Sequence, residues 1–143
     1  MSWSPAQRQR ILDERDILNV YFPDKVTWLH GQTKVDIRMS TNNNNEYCLR
    51  VYLPEDFPNS VPDLVVTHSP KPMPNWENNG QTHTLKRRDG FLRICHYRIS
   101  RWSCENNLYD VFMKGRLWLE AYEAHLRTSK PLDHFLRDMQ MNK

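Results

Sequence analysis

From Lys34 to Met39 apolar and polar side chains alternate strictly, with Val35, Ile37 and Met39 set against Lys34, Asp36 and Arg38. Period two is the signature of a half-buried strand, so one face of this segment is expected to be wet. The alternation returns at Leu49, Val51 and Leu53 against Cys48, Arg50 and Tyr52, and the polar run TNNNNE between the two reads as a turn joining antiparallel neighbours. A third apolar run, Leu64-Val65-Val66, is a short strand bracketed by prolines that cannot continue a sheet ladder. Ser4-Pro5 is an N-cap followed by proline at the first helical position, and Ile11, Leu12, Ile17 and Leu18 then mark a helix that ends near Pro23. In the last third, Leu108, Val111, Phe112, Leu119, Tyr122 and Leu126 recur at helical spacing over about five turns. Leu132, Phe135, Leu136 and Met139 predict a shorter helix after Pro131. Residues 75–89 are polar, with turns at Asn78-Asn79-Gly80 and Arg88-Asp89-Gly90, and read as a long surface loop. The order is helix, about four strands in an antiparallel meander, a long loop, then helices: an α+β layout with a helix covering one face of the sheet.

Composition narrows the class. A chain of 143 residues, 38% apolar and 26% charged, corresponds to one globular domain over residues 1–143. No stretch approaches the ~18–20 uninterrupted apolar residues of a membrane helix, and MSWSPAQRQR lacks the apolar core of a secretory signal, so a soluble, cytoplasmic protein is expected. Four glycines stand against nine prolines, six of them between Pro54 and Pro74, so proline-stiffened loops must turn the corners. The three cysteines, Cys48, Cys95 and Cys104, are odd in number and have no CxxC spacing, which supports neither a disulfide framework nor a cysteine-rich metal site.

Each thiol is therefore read alone. Cys95 lies in LRICHYR, where Arg93, His96 and Arg98 crowd it with positive charge that favours the nucleophilic thiolate, although composition alone favours a small buried cysteine there. Cys48 is mid-strand, opposite Leu49 and Val51, and reads as structural. Cys104 falls near an expected helix start, where the dipole lowers a thiol pKa, and stays in reserve as a second nucleophile or regulatory thiol. Among six histidines His83 stands out, twelve residues before Cys95 in the long loop, whereas His125 and His134 fall on helical surfaces. A Cys–His dyad needs an orienting Asn or Asp, and no spacing identifies one. The spacing of Cys95, Cys104 and the histidines matches no common zinc pattern, so neither metal nor cofactor is assigned. Lys86, Arg87, Arg88, Arg93, Arg98 and Arg101 stand against the single acid Asp89, a local +5 in a chain of +3. With Phe91, Tyr97 and Trp102 interleaved, this patch suits a nucleic-acid backbone, an acidic protein or an extended C-terminal tail.

One arrangement is more specific. YCLRVYLPEDFP followed by VPDL resembles the strand, proline-rich turn and next strand of the ubiquitin-conjugating-enzyme (UBC) family, and GFLRIC resembles its G-x-I-C element. Trp102 follows Cys95 at nearly the family's interval, and a long helix comes next; the likeness covers roughly residues 5–140. Two features depart from it. His83 is followed by Thr84 and Leu85 where the family has Pro-Asn, and Cys104 stands where a proline follows the tryptophan. WLEAYEAHLRT, beginning at Trp118, resembles the W-L-x-x-Y-E signature of bacterial members, in particular those encoded beside cGAS-like nucleotidyltransferases in CBASS anti-phage operons.

The resemblance implies a UBC-like fold and acyl carriage on sulfur. Cys95 thiolate would accept an activated C-terminal acyl group as a thioester, and an amine would attack it. His83 would position the loop or shuttle a proton, and Asn106 or Asn107 would offer a donor to the oxyanion. The acyl donor implied is the C-terminal tail of a cGAS-like nucleotidyltransferase, or a ubiquitin-like protein, passing Cys95 along Arg93, Arg98, Arg101 and Trp102. Trp102 reads as packing beneath the loop rather than as catalytic. The alternative is a catalytically inactive UBC-like module that only scaffolds a partner; nucleic-acid binding ranks third.

Overall fold

The computed structural model describes residues 2–97 and 99–141. Helix α1 (Pro5–Tyr21) opens with a capping box, in which Ser4 Oγ accepts from the Gln7 amide (3.1 Å) and Gln7 Oε1 accepts from the Ser4 amide (2.9 Å). Its buried face is Ile11, Glu14 and Leu18, whereas Leu12, expected inside, is 47% exposed. Helical spacing from Ile11 to Leu18 passes through Glu14, so a carboxylate rather than a leucine fills the inner position.

The sheet has six strands rather than four: β1 (Val26–Leu29), β2 (Lys34–Ser40), β3 (Glu46–Tyr52), β4 (Asp63–His68), β5 (Thr84–Arg88) and β6 (Phe91–Ile94). Every pairing is antiparallel, in the order β1-β2-β3-β4-β6-β5. The last part of the expected loop, Thr84–Arg88, instead forms β5 and pairs with β6 in a hairpin at the sheet edge, while the residues before it stay outside the named strands. Asp89 (φ 52°) and Gly90 (φ 80°) both adopt positive φ, and Arg88 faces Phe91 across the turn, as in a two-residue type I′ hairpin. Four of the five residues of β5 are polar or charged, a composition that protects an edge strand and hides it from any search for apolar runs.

Register places Val35 opposite Val51, Ile37 opposite Leu49, Val51 opposite Leu64, and Leu64 opposite Ile94, so one face is continuously apolar. Helix α2 (Leu108–Thr128) lies on that face, burying Val111, Phe112, Trp118 and Leu119. The approach is closest at Gly115, where a Cβ would meet Leu49 Cδ1 at 2.7 Å and Leu64 Cδ2 at 3.0 Å; only glycine lets the helix sit this low. Leu126, expected in the apolar stripe, is 60% exposed. Helix α3 (Leu132–Met141) buries Leu132 and Leu136; the burial of Met139 lies outside the described residues. Among the described residues no helix is long and apolar enough to cross a membrane.

Candidate active site at the end of the β5–β6 hairpin

Cys95 follows β6 directly. The last ladder pair is Thr84 opposite Ile94, and beyond it the Cys95 amide donates to the His83 carbonyl at 2.8 Å, so the hairpin holds the cysteine's backbone opposite His83. The thiol is half-buried, neither sealed in the core nor fully exposed. The two expected site residues are thus brought together through the main chain.

His83 itself is buried with φ +54°, a backbone conformation uncommon outside glycine and asparagine that persists only where the surroundings enforce it. Several contacts do so. Its Nε2 lies 2.9 Å from Asp133 Oδ1 in the first turn of α3, the Asp133 amide donates to the Gln81 carbonyl (3.0 Å), and the Trp118 indole donates to the Thr82 carbonyl (2.9 Å). Asp133, the carboxylate that meets His83, was not singled out by the sequence reading. Fifty residues separate it from His83, and its only sequence mark is an acid in the first turn of a helix.

On the other side of Cys95, the His96 ring is buried and its Nε2 lies 2.7 Å from the Pro62 carbonyl. Burial pulls its pKa down to about 4, so the ring is neutral at physiological pH. The His96 carbonyl accepts from Lys114 Nζ at 3.0 Å, and the same ammonium sits 3.3 Å from the centroid of the Tyr97 ring. Tyr97 meets Trp102 edge-to-face at 5.2 Å, and the Trp102 indole donates to the Pro58 carbonyl at 2.9 Å. At 9% exposure, with its N–H already used, Trp102 is a packing residue beneath the loop and offers little surface to a partner.

Cys104 is exposed in a turn three residues before Asn107, the N-cap of α2, so it is not at the helix start and loses the dipole argument. Asn107 Oδ1 accepts from the Asp110 amide at 2.9 Å, which commits that oxygen to the cap. Asn106 contributes its backbone carbonyl to Arg10 Nη2 (2.8 Å), and the Cys104 carbonyl takes Arg10 Nη1 (2.7 Å). Arg10 is in turn held by Glu14 Oε2 at 2.8 Å, while Glu14 Oε1 accepts the Leu108 amide at 2.9 Å, so α1 fixes the segment that follows the site. Cys48 faces the outer side of the sheet beside Asp36 and Arg50; burial pushes its thiol pKa up, which makes it a poor nucleophile.

The basic patch is less cationic in space than in sequence. Asp63 of β4 bonds Arg88 (2.7 Å) and Arg93 (3.4 Å), Arg88 stacks on Tyr52 at 3.8 Å, and the Arg87 guanidinium turns back to the Gly90 carbonyl (2.7 Å). Arg101 is exposed, and Arg98 lies outside the described residues. Among the described residues no group of three or more His, Cys, Asp or Glu side chains is placed to hold a metal. The WLEAYE stretch is also explained from within. Trp118 anchors Thr82 and stacks on Tyr122 at 5.5 Å, and Glu123 gathers donors from Asn43, Asn45 and Tyr47. No protein-family model matches the chain, and no curated protein matches its sequence.

Proposed function

We propose that this protein is a ubiquitin-conjugating-enzyme-like acyl carrier with Cys95 as nucleophile, acting in the cytoplasm of a bacterium as part of anti-phage defence. The observation that carries the reading is the placement of Cys95: a half-exposed thiol straight after a sheet strand, its amide pinned to His83, with buried packing on both sides of the loop. The element order supports it as well, since a helix, an antiparallel sheet, a proline-rich turn, the cysteine loop and a long helix follow in the sequence the UBC resemblance implies.

The thiolate attacks an acyl group already activated at the C-terminus of a protein partner. A C–S bond forms as the activating group leaves. An amine then attacks the thioester carbon, the C–N bond forms, the C–S bond breaks and the amine's proton passes to solvent or to a nearby base. The donor proposed is the C-terminal tail of a cGAS-like nucleotidyltransferase, with a ubiquitin-like protein as the other possibility. His83, held by Asp133, serves as the positioning residue of this loop.

The test is intact mass of the protein co-expressed with its neighbouring nucleotidyltransferase. The wild type is expected to carry a covalent adduct that hydroxylamine cleaves, and Cys95→Ala to carry none while keeping its circular dichroism. An adduct that persists in Cys95→Ala moves the chemistry to Cys104 or ends the proposal. An unmodified but stably bound wild type supports the scaffolding module instead.

A further inference from the structure

The bend that carries His83 is held from two sides. On its own side, Asn79 Oδ1 accepts from the Gln81 amide (2.8 Å) and the Thr82 amide (3.3 Å), and Asn79 and Thr84 exchange main-chain hydrogen bonds of 3.1 Å. From the C-terminal helices, three consecutive residues each receive one contact. The Asp133 amide donates to the Gln81 carbonyl (3.0 Å), the Trp118 indole donates to the Thr82 carbonyl (2.9 Å), and Asp133 Oδ1 meets His83 Nε2 (2.9 Å). Asp133 supplies two of the three, and its place is set by α3, which buries Leu132 and Leu136. An acid in the first turn of a helix commonly serves that helix alone, through the dipole. Here a half-exposed carboxylate reaches inward to a ring whose side chain is 2% exposed.

We propose that Asp133 is a positioning residue for Cys95: by accepting a hydrogen bond from His83 Nε2 it holds the left-handed backbone of His83, whose carbonyl fixes the cysteine's amide one residue beyond β6. A carboxylate has only lone pairs to offer, so Nε2 carries the proton of this bond. His83 is where restraint of a side chain becomes main-chain geometry. Its φ of +54° is kept only where the surroundings enforce it, and its carbonyl accepts from the Cys95 amide at 2.8 Å, so a ring free to turn would let that carbonyl turn with it. Asp133 acts through His83 and the main chain and not on the reacting atoms. This role deepens the acyl-carrier reading and rests on it, since a held Cys95 backbone serves the reaction only where the Cys95 thiol carries the acyl group. Helix α3 thereby becomes part of the site.

The test is hydrogen–deuterium exchange of single backbone amides, followed by NMR on the whole chain with no partner present. In the wild type the Cys95 amide is expected to be protected. Asp133→Ala is expected to speed its exchange about tenfold, the loss of one hydrogen bond, while amides of the β2–β3 ladder keep their rates. Asp133→Asn, whose amide oxygen accepts the same bond, is expected to retain most of the protection. An unprotected Cys95 amide in the wild type overturns the proposal even where Asp133→Ala fails to fold. So does a folded Asp133→Ala with an unchanged Cys95 rate, or one in which the β2–β3 amides accelerate by the same factor, which is general destabilisation. An Asp133→Asn protein that exchanges as fast as Asp133→Ala overturns it too. Because exchange is read without a partner, failure here is separable from failure of acyl carriage, which shows only as a missing partner adduct.

Discussion

Replacing Glu123 with glutamine removes one charge while keeping the shape of a side chain that is only 4% exposed. The carboxylate accepts from Asn43 Nδ2 (2.9 Å), Asn45 Nδ2 (2.8 Å) and Tyr47 Oη (2.8 Å), bolting the asparagine turn between β2 and β3 to the middle of α2. Burial by itself would push the carboxyl pKa up, but these donors outweigh it and hold it below its ordinary value, so the folded site contains the ion. Each of these three hydrogen bonds to an ion is worth about 1 kcal/mol more than a neutral one, about 3 kcal/mol together, and relief from burying a charge offsets about 1 kcal/mol, leaving a net loss of about 2 kcal/mol for Glu123→Gln. With an unfolding entropy of about 0.3 kcal/mol/K for a chain of this length, the melting temperature falls by about 7 °C at pH 7. The pH dependence distinguishes this cause from a packing defect. A carboxyl whose folded pKa is depressed contributes fully above its unfolded value and loses that contribution as pH falls through the folded one. Glutamine does not titrate, so the gap between the two proteins closes below the ordinary glutamate value of 4.5. Thermal unfolding followed by circular dichroism at pH 7 and in acid reads both effects. Equal melting temperatures at pH 7, or a gap as wide in acid as at pH 7, would refute the reasoning.

Two further perturbations probe the supports of the site. Glu14→Ala strands the buried Leu108 amide and releases Arg10 from the Cys104–Asn106 turn; it is expected to cost about 2–3 kcal/mol, read as a lower urea midpoint, with Glu14→Gln losing less than half of that. His96 is neutral in the fold, its pKa lowered from 6.5 to about 4 by burial, so its share of stability is complete above pH 6.5 and is lost as pH falls toward 4. That share is roughly 3 kcal/mol, and urea unfolding at pH 7 and pH 4.5 should show most of the loss in the wild type and a flatter profile in His96→Gln.

Local periodicity was enough to place α1, β2, β3, β4 and α2, because each carries its apolar residues at the spacing its own backbone geometry demands. It was not enough for the hairpin beside the site. Thr84–Arg88 buries little and so shows no apolar pattern, yet Asp89-Gly90 is a strong local hairpin signal, and treating that turn as a β-turn between paired strands would have recovered β5 and β6. Leu12 and Leu126 were misplaced for a related reason. A helix's apolar stripe is defined by what packs against it, and α1 uses Glu14 inside to bind α2.

The sequence by itself determined the α+β class, most of the element order and the candidate thiol, since these follow from residue types and their spacing along one chain. Only the tertiary structure decided which groups surround Cys95. His83 meets Asp133 across fifty residues, Lys114 meets His96 across eighteen, and Asp63 of β4 draws off part of a basic patch that only Asp89 opposes in the linear sequence. The physical reason is that a site's electrostatics depend on distances through space, and those are set by the register of strands and the docking of helices rather than by neighbours along the chain.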